Sequence, residues 1–368
     1  MAMHDVHPPD LSLSQAESVD ASDQLCAQVQ AAQAEGRPLV IQGSGSKACY
    51  GRPVAGEVLD SRVHRGIVHY DPVELILTAR AGTPLAQVEA ALAAQGQYLP
   101  FEPPHLGAQA TLGGCIATGL SGPRRPWAGP ARDYVLGTRV LTATGKVLRF
   151  GGEVMKNVAG YDVSRLMVGA QGTLGLITEI SLKVLPQPAA CAGLALEMPL
   201  PHAFAKLARW GRQPLPLTAA CWSAGRLYLR LEGGERSVAA ARSRLGGDSV
   251  DSSFWQDLRE QRLPVFQPRA GSALWRLALP ANVPELTQIP GDWLYDWGGT
   301  QRWLQTSATA TEIRQTAQSL GGHATCLTPG AAEPWTPLAP ALARYHQRLK
   351  DQLDPRRIFN PGRLYPDL

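Results

Sequence analysis

A glycine loop that no helix follows constrains this chain more than any other feature. Pro38-Leu39-Val40-Ile41 reads as a short buried strand, and it runs into Gln42-Gly43-Ser44-Gly45-Ser46-Lys47. Gly43 to Ala48 formally fits the dinucleotide fingerprint G-x-G-x-x-A. That fingerprint requires a helix to start inside the loop, because the helix amino terminus holds the pyrophosphate. Here the loop continues as Cys49-Tyr50-Gly51-Arg52-Pro53, which cannot be helical. The helix comes before the strand instead: Ala21 to Glu35 carries Leu25, Val29 and Ala32 at helical spacing and stops at Gly36. A Rossmann domain is therefore rejected. The loop keeps a phosphate-binding character, since small residues let successive backbone N–H groups converge on an anion, with hydroxyls from Ser44 and Ser46. Taken alone it is equally an ordinary tight turn.

Two further stretches shift that balance. Ala110-Thr111-Leu112-Gly113-Gly114-Cys115-Ile116-Ala117-Thr118-Gly119 combines close backbone approach with hydroxyl donors. Gly169-Ala170-Gln171-Gly172-Thr173-Leu174-Gly175-Leu176-Ile177-Thr178 repeats the theme. Each is separately readable as a bend in a sheet. Three such loops in one lobe suit a long ligand with phosphates and flat rings. Between them, Val58 to Asp60 and Leu75 to Ala79 read as strands and Pro84 to Gln95 as a helix. Arg139 to Ala143 and Lys146 to Phe150 read as a hairpin turned at Thr144-Gly145, Val163 to Met167 as helical, and Leu174 to Leu185 as a strand closed by Pro186.

Eight of the nine tryptophans fall after residue 200, which marks a change of domain within the 368 residues. The segment 189–330 also reads as a duplication. Trp222 and Trp297 each stand 24 residues before a Leu-Gly-Gly helix end, at Gly246 and Gly321. Each copy reads strand, connection, strand, strand, helix, which predicts one antiparallel sheet with helices on one face. The connection is a clear helix in the first copy (His202 to Gly211) and proline-broken in the second (Asn282 to Pro290). The expected organisation is a polar tail (1–20), a first domain (21–188), a second (189–330) and a returning segment (331–368).

Charge excludes little: 35 basic against 31 acidic residues give +4, and Arg124-Arg125 with nearby Arg132 reads as a solvated loop rather than a nucleic-acid surface. The cysteines Cys26, Cys49, Cys115, Cys191, Cys221 and Cys326 form no Cys-x-x-Cys pair, so no zinc or iron–sulfur motif is expected and metal ligands are none. Reduced thiols, a polar start without an apolar core, and no membrane-length apolar run predict a cytoplasmic protein, membrane-associated only through partners.

The ordered motifs resemble a known family. Pro38 to Ser46, Ala110 to Gly119, Lys156-Asn157-Val158-Ala159-Gly160-Tyr161-Asp162, Gly169 to Glu179 and Asp354-Pro355 to Asn360-Pro361-Gly362-Arg363 are similar to the landmarks of the vanillyl-alcohol-oxidase and p-cresol-methylhydroxylase (PCMH) superfamily of FAD enzymes. The resemblance covers residues 21–188 and the tail. It narrows, through Trp297-Gly298-Gly299 and Arg302-Trp303, to the flavin subunits of three-subunit bacterial glycolate oxidases. It implies an α+β fold: a PCMH-type FAD-binding domain of two α+β subdomains, plus an antiparallel-sheet cap with ferredoxin-like duplicated units. It puts the pyrophosphate near Gly43, Ser44, Gly45 and Ser46 and near Thr111, Leu112, Gly113 and Gly114, and counts Gln42, Lys47, Thr118 and Gly119 among the cofactor-binding residues. It puts the adenine side at Gly172, Gly175 and Ile177, the flavin ring between the two domains, and Asn360 near the flavin edge. Some members tether flavin to a histidine in the first loop. None stands there, so FAD is expected to be non-covalent.

Catalysis is less legible. Hydroxy-acid-oxidising members of the family carry Gly-Glu-His-Gly, and this sequence does not. The catalytic candidates are His323, as a neutral base, and Arg302, as a carboxylate fork with Arg363 as a second choice. Tyr161 and Arg165 are candidates to line the flavin pocket, and His105 to cap a cofactor loop. Trp293, Trp297 and Trp303 read as a partner-facing or flavin-facing surface, or as cap core for at least two of them. The resemblance implies a glycolate oxidase-type subunit that oxidises a small 2-hydroxy acid. Its electrons would leave through a sister flavoprotein and an iron–sulfur subunit. A non-catalytic flavin relay is the alternative, and a stand-alone 2-hydroxy-acid dehydrogenase a third.

Overall fold

The computed structural model describes residues 18–152 and 162–368. The Lys156-to-Tyr161 part of one motif and most of the polar tail lie outside the described residues.

The first lobe forms around two sheets. Helix α1 (Ser22–Glu35) buries Leu25, Val29 and Ala32 on one stripe and ends at Gly36, whose φ of 69° only glycine adopts without strain. That stripe packs on Leu39 and Leu59 of the parallel pair β1 (Leu39–Gln42) and β2 (Glu57–Asp60). Between β1 and β2 the chain makes turns and no helix. The second sheet contains β3 (Ile67–Asp71), β4 (Ile76–Arg80), and later β6 (Val135–Leu141), β7 (Val147–Gly151) and β8 (Leu176–Lys183). It is antiparallel, in the order β3-β4-β8-β6-β7. Helix α2 (Leu85–Ala93) and the glycine-rich helix α3 (Leu112–Thr118) cover it. β5 (Gln97–Tyr98) pairs with β9 (Leu185–Pro186), and short helices α4 (Arg125–Ala128) and α5 (Val163–Met167) complete the lobe.

The second glycine stretch is thus a helix where the sequence suggests only small-residue backbone. Thr111 is its N-cap, extended at φ −106° and ψ 154°, and accepts from the Gly114 amide. Glycine is needed inside it because a Cβ on Gly113 would lie 2.7 Å from Ala81 Cβ.

The second lobe is one eight-stranded antiparallel sheet. Its strands are β10 (Ala190–Glu197), β11 (Leu217–Ser223), β12 (Arg226–Gly233), β13 (Asp248–Val250), β14 (Ala273–Ala278), β15 (Asp292–Asp296), β16 (Gln301–Thr306) and β17 (His323–Cys326). The order β13-β10-β12-β11-β15-β16-β14-β17 reads the same way outward from its centre, each strand of one half facing its counterpart in the other. This is the duplication that the repeated Trp and Leu-Gly-Gly positions predict. Helices α6 (Leu200–Trp210) and α7 (Glu235–Leu245) serve the first half and α9 (Ala310–Ser319) the second, where prolines leave residues 279–291 as loop. Helix α8 (Ser253–Arg259) packs on the opposite face, against Trp303, Leu294 and Cys221.

Helix α10 (Pro340–Leu353) then returns the chain to the first lobe. Phe359 bridges to Leu39 in parallel, extending the β1–β2 pair. A buried ammonium holds this return: Lys350 Nζ donates at 2.7 Å to Thr173 O, Phe359 O and Asp354 Oδ2. Burial pushes the Lys350 pKa down, opposed by the Asp354 charge.

Candidate functional site

The returning tail closes one wall of a cleft of about 900 Å³, near the upper end of the roughly 300–1,000 Å³ typical of ligand sites. All the residues expected at a cofactor line it except Leu112 and Gly119. Leu112 is turned into the core, and Gly119 caps α3 with its amide on Cys115 O. The cleft is also lined by Val40, Ile41, Ala117, Leu176, Arg52 and, where the second lobe passes into the returning segment, by Thr328, Pro329, Gly330, Ala332, Glu333 and Pro334.

The first loop fits a phosphate group. Among the described residues, the amides of Gly43, Ser44 and Gly45 find no acceptor, so three consecutive N–H groups are available at the cleft wall. Gly43 cannot be larger: a Cβ there would lie 2.5 Å from Thr111 Oγ1. The second loop fits less directly than the sequence suggests. Its amides are spent inside the protein, Leu112 on Thr83 O, Gly113 on Ala81 O and Gly114 on Thr111 Oγ1. It contributes surface rather than donors.

Asn360 clamps the other side. Its Oδ1 accepts from the Ile41 amide at 2.7 Å and its Nδ2 donates to Gln171 O at 2.7 Å, so one side chain joins the first loop, the third loop and the tail. Gly172 must stay small beneath it, since a Cβ would meet Asn360 Nδ2 at 2.7 Å. His105 sits beside the first loop: its carbonyl accepts from Lys47 Nζ at 2.9 Å and Ser46 Oγ at 3.0 Å. Lys47 is buried, and burial lowers its pKa.

The two arginines chosen as carboxylate forks are corrected by the structure. Arg302 is 0% exposed, inside the cap. Its guanidinium is consumed by backbone carbonyls, Nε to Gly299 O at 3.0 Å, Nη1 to Pro284 O at 2.7 Å, and Nη2 to Val283 O. It replaces the helix missing from the second half of the duplication by tying the proline-broken loop to β16. Arg363 is equally committed, to Gln171 Oε1, Ala48 O, Arg52 O, Lys47 O and Tyr50 O. His323 begins β17 and does not line the cleft; burial and the Arg276 charge lower its pKa, favouring the neutral imidazole. Arg165 pairs with Asp162 at an exposed position, and Tyr161 is outside the described residues.

The Arg124-Arg125 segment is not a solvated loop. Arg124 is buried between Glu102 and Glu232, and Arg230 of the cap reaches the same carboxylates, 2.7 Å from Glu102. Glu260 accepts from the amides of His105 and Leu106, and Trp297 Nε1 donates to Gly122 O at 3.0 Å. Together these contacts seat the cap on the first lobe. Of the three tryptophans, Trp303 is core, Trp293 is half-buried against the second-half core, and Trp297 is at the lobe junction. Nothing local in the sequence marks the partners of Arg124, because Glu232 is 108 residues away.

A glycine-cradled cleft at the edge of an antiparallel α+β lobe, closed by a cap and a returning tail, defines a PCMH-type FAD-binding oxidoreductase. The family of FAD binding domains matches residues 18–151. Glycolate oxidase subunit GlcE of Escherichia coli (strain K12) is 56% identical over 349 residues, covering 95% of this chain and 99% of that protein. The chain belongs to the GlcE family. Glycolate oxidase subunit GlcD of Bacillus subtilis (strain 168) is 37% identical over 153 residues, 41% of this chain and 32% of that protein. D-lactate dehydrogenase of Archaeoglobus fulgidus is 32% identical over 180 residues, 48% of this chain and 40% of that protein. A solved alkyldihydroxyacetonephosphate synthase shares the fold, with a TM-score of 0.66 at 19% identity over 93% of this chain and 76% of that one. Among the described residues no helix is long and apolar enough to cross a membrane.

Proposed function

We infer that this chain is the FAD-carrying subunit of a glycolate oxidase-type assembly, acting on glycolate or a related small 2-hydroxy acid. The observation that carries this is the cradle of three unpartnered amides at Gly43 to Gly45, set in a chain that matches a glycolate oxidase subunit over nearly its whole length. Residues 21–188 and 331–368 hold FAD, and 189–330 form the cap. Gln42 to Lys47 hold the phosphates, Thr111, Gly113, Gly114 and Thr118 give the surface they lie on, Gly172, Gly175 and Ile177 take the adenine side, and Asn360 fixes the walls. The bond is non-covalent, since the cradle offers no histidine, only Ser46 and Lys47, whose Nζ is held by His105 O.

When bound, FAD supplies the acceptor for the hydride leaving the carbinol carbon. His323 stands outside the cleft lining, on the β14–β17 face that carries Arg276, and as the proposed base its neutral imidazole would take the hydroxyl proton there. Electrons leave through a sister flavoprotein and an iron–sulfur subunit, and membrane contact is made only through them. The described residues hold no His, Cys, Asp or Glu cluster suited to a metal. The relay reading keeps one observation in its favour, the missing Gly-Glu-His-Gly sequence.

The test is an anaerobic absorbance spectrum of the purified chain before and after glycolate. Bleaching near 450 nm, abolished in His323→Gln, supports turnover here. An oxidised spectrum that bleaches only after partner subunits are added supports the relay.

A further inference from the structure

Two guanidinium groups stand at the lobe junction without a direct ion pair. Arg125 opens α4 of the first lobe, and its guanidinium lies 4.4 Å over the Trp297 ring of the cap. Arg276 stands on the face of β14 opposite Trp275 and Leu277, which point into the helix-side core. It donates Nη2 to Tyr50 Oη at 2.7 Å, back across to the first lobe. Among the described residues neither forms an ion pair, whereas the adjacent Arg124 has two. Both are half-buried.

Each guanidinium faces the other lobe, Arg125 over Trp297 of the cap and Arg276 on Tyr50 Oη of the first lobe. Burial and then the Arg276 charge push the Arg125 pKa down, with Asp133 and Tyr50 opposing. Like charges at a partly desolvated junction are unfavourable unless an anion lies between them. The surroundings select the anion. The planar forks suit a carboxylate. Tyr50, which accepts from Arg276, keeps its own O–H to donate. Trp297, fixed on Gly122 O and under the Arg125 guanidinium, and Trp335, edge-on to Tyr50 at 4.9 Å, stand beside the two arms. On the neighbouring strand, Ala278 pairs with His323 and Arg276 with Thr325, which puts His323 on the face that carries Arg276.

We propose that Arg125 and Arg276, one from each lobe, form a two-armed site for the carboxylate of a small organic acid, with Tyr50 as a third donor. The site rests on the 2-hydroxy-acid reading above and assigns its carboxylate to residues other than Arg302. Because the arms come from different lobes, the bound anion also ties the cap down.

Oxalate, which cannot be oxidised by hydride loss, is the probe. It is titrated into the full flavin-loaded chain and followed by the flavin difference spectrum and tryptophan emission. Arg125→Gln and Arg276→Gln should each weaken it by about 10–100-fold at unchanged flavin content, the loss expected for one charged hydrogen-bonding arm. Arg125→Lys and Arg276→Lys should fall between, and Tyr50→Phe should lose roughly 3–10-fold, guarding against misfolding of the glutamine variants. Neutral oxamide should not bind. Oxalate that binds the glutamine variants within about twofold of the parent, or fails to saturate the parent, overturns the proposal. Glycolate bleaching is scored separately. An oxalate site that needs both arginines in a chain that glycolate never bleaches preserves this site and sinks the turnover reading. Bleaching that survives both glutamine variants does the reverse.

Discussion

Replacing Lys350 by methionine removes an ammonium that is 1% exposed and leaves the fully buried Asp354 carboxylate behind. Three 2.7 Å bonds vanish together, to Thr173 O, Phe359 O and Asp354 Oδ2. Asp354 keeps the amides of Ile358 at 3.1 Å and Phe359 at 2.8 Å, which soften the loss without neutralising the charge. Breaking one partner of a buried pair costs about 3–5 kcal/mol, a large part of the roughly 5–15 kcal/mol that holds a protein folded. The damage falls on the tail, because Phe359 and Asn360 are what this ammonium holds against β1. The expected result is a chain that opens locally first, with trypsin reaching Arg356 and Arg357 and flavin lost on gel filtration before global unfolding. Lys350→Met/Asp354→Asn should recover part of the loss, giving a coupling of at least about 2 kcal/mol in a double-variant cycle from urea unfolding. A Lys350→Met chain within about 0.5 kcal/mol of the parent, with full flavin and an uncut tail, would refute the reasoning.

Three further outcomes are expected. Gly43→Val should drive a side chain into Thr111, 2.5 Å from the added Cβ, and yield protein without the 450 nm flavin band; a yellow variant would displace the phosphate cradle from this loop. Arg302→Lys should cost about 2–4 kcal/mol in urea unfolding, since lysine has no fork to reach all three carbonyls, yet leave KM and kcat per bound flavin within about twofold; a selective rise in KM would return it to the substrate site. Burial raises the Asp296 carboxyl to about 7, so the folded chain holds a proton that the unfolded chain releases above about 4. Stability therefore falls as pH rises from about 4 to about 7 and then levels, and Asp296→Asn should flatten that slope in urea midpoints taken at both ends.

Local chemistry was legible and distant partnership was not. The rejection of a Rossmann start needed only the order helix, strand, glycine loop, Pro53. The duplication was visible because each Leu-Gly-Gly ends a helix at a fixed distance from a tryptophan, and the strand order reproduces it. Helix α3 was hidden by its glycines, which low propensity argues against and which tight packing on Ala81 requires. Arg302 was misassigned because a motif of Trp, Gly and Arg looks like a site. Its role follows from the loop 279–291, which sequence cannot fold onto it. Arg125 and Arg276 lie 151 residues apart and carry no motif; only the junction of the lobes brings them together.

Asn360 has a consequence for the order of events in the cell. The strand that it grips and the proposed phosphate loop leave the ribosome hundreds of residues before Asn360 is made. Until then the wall that the tail closes is open, and the Asn360 side chain that joins Ile41 to Gln171 is absent. With the cofactor held as proposed, its capture is a late step of biogenesis, governed by docking of the tail rather than by folding of the first lobe. A nick between α10 and Asn360 would return a mature chain to that half-built condition, and flavin retention would report it.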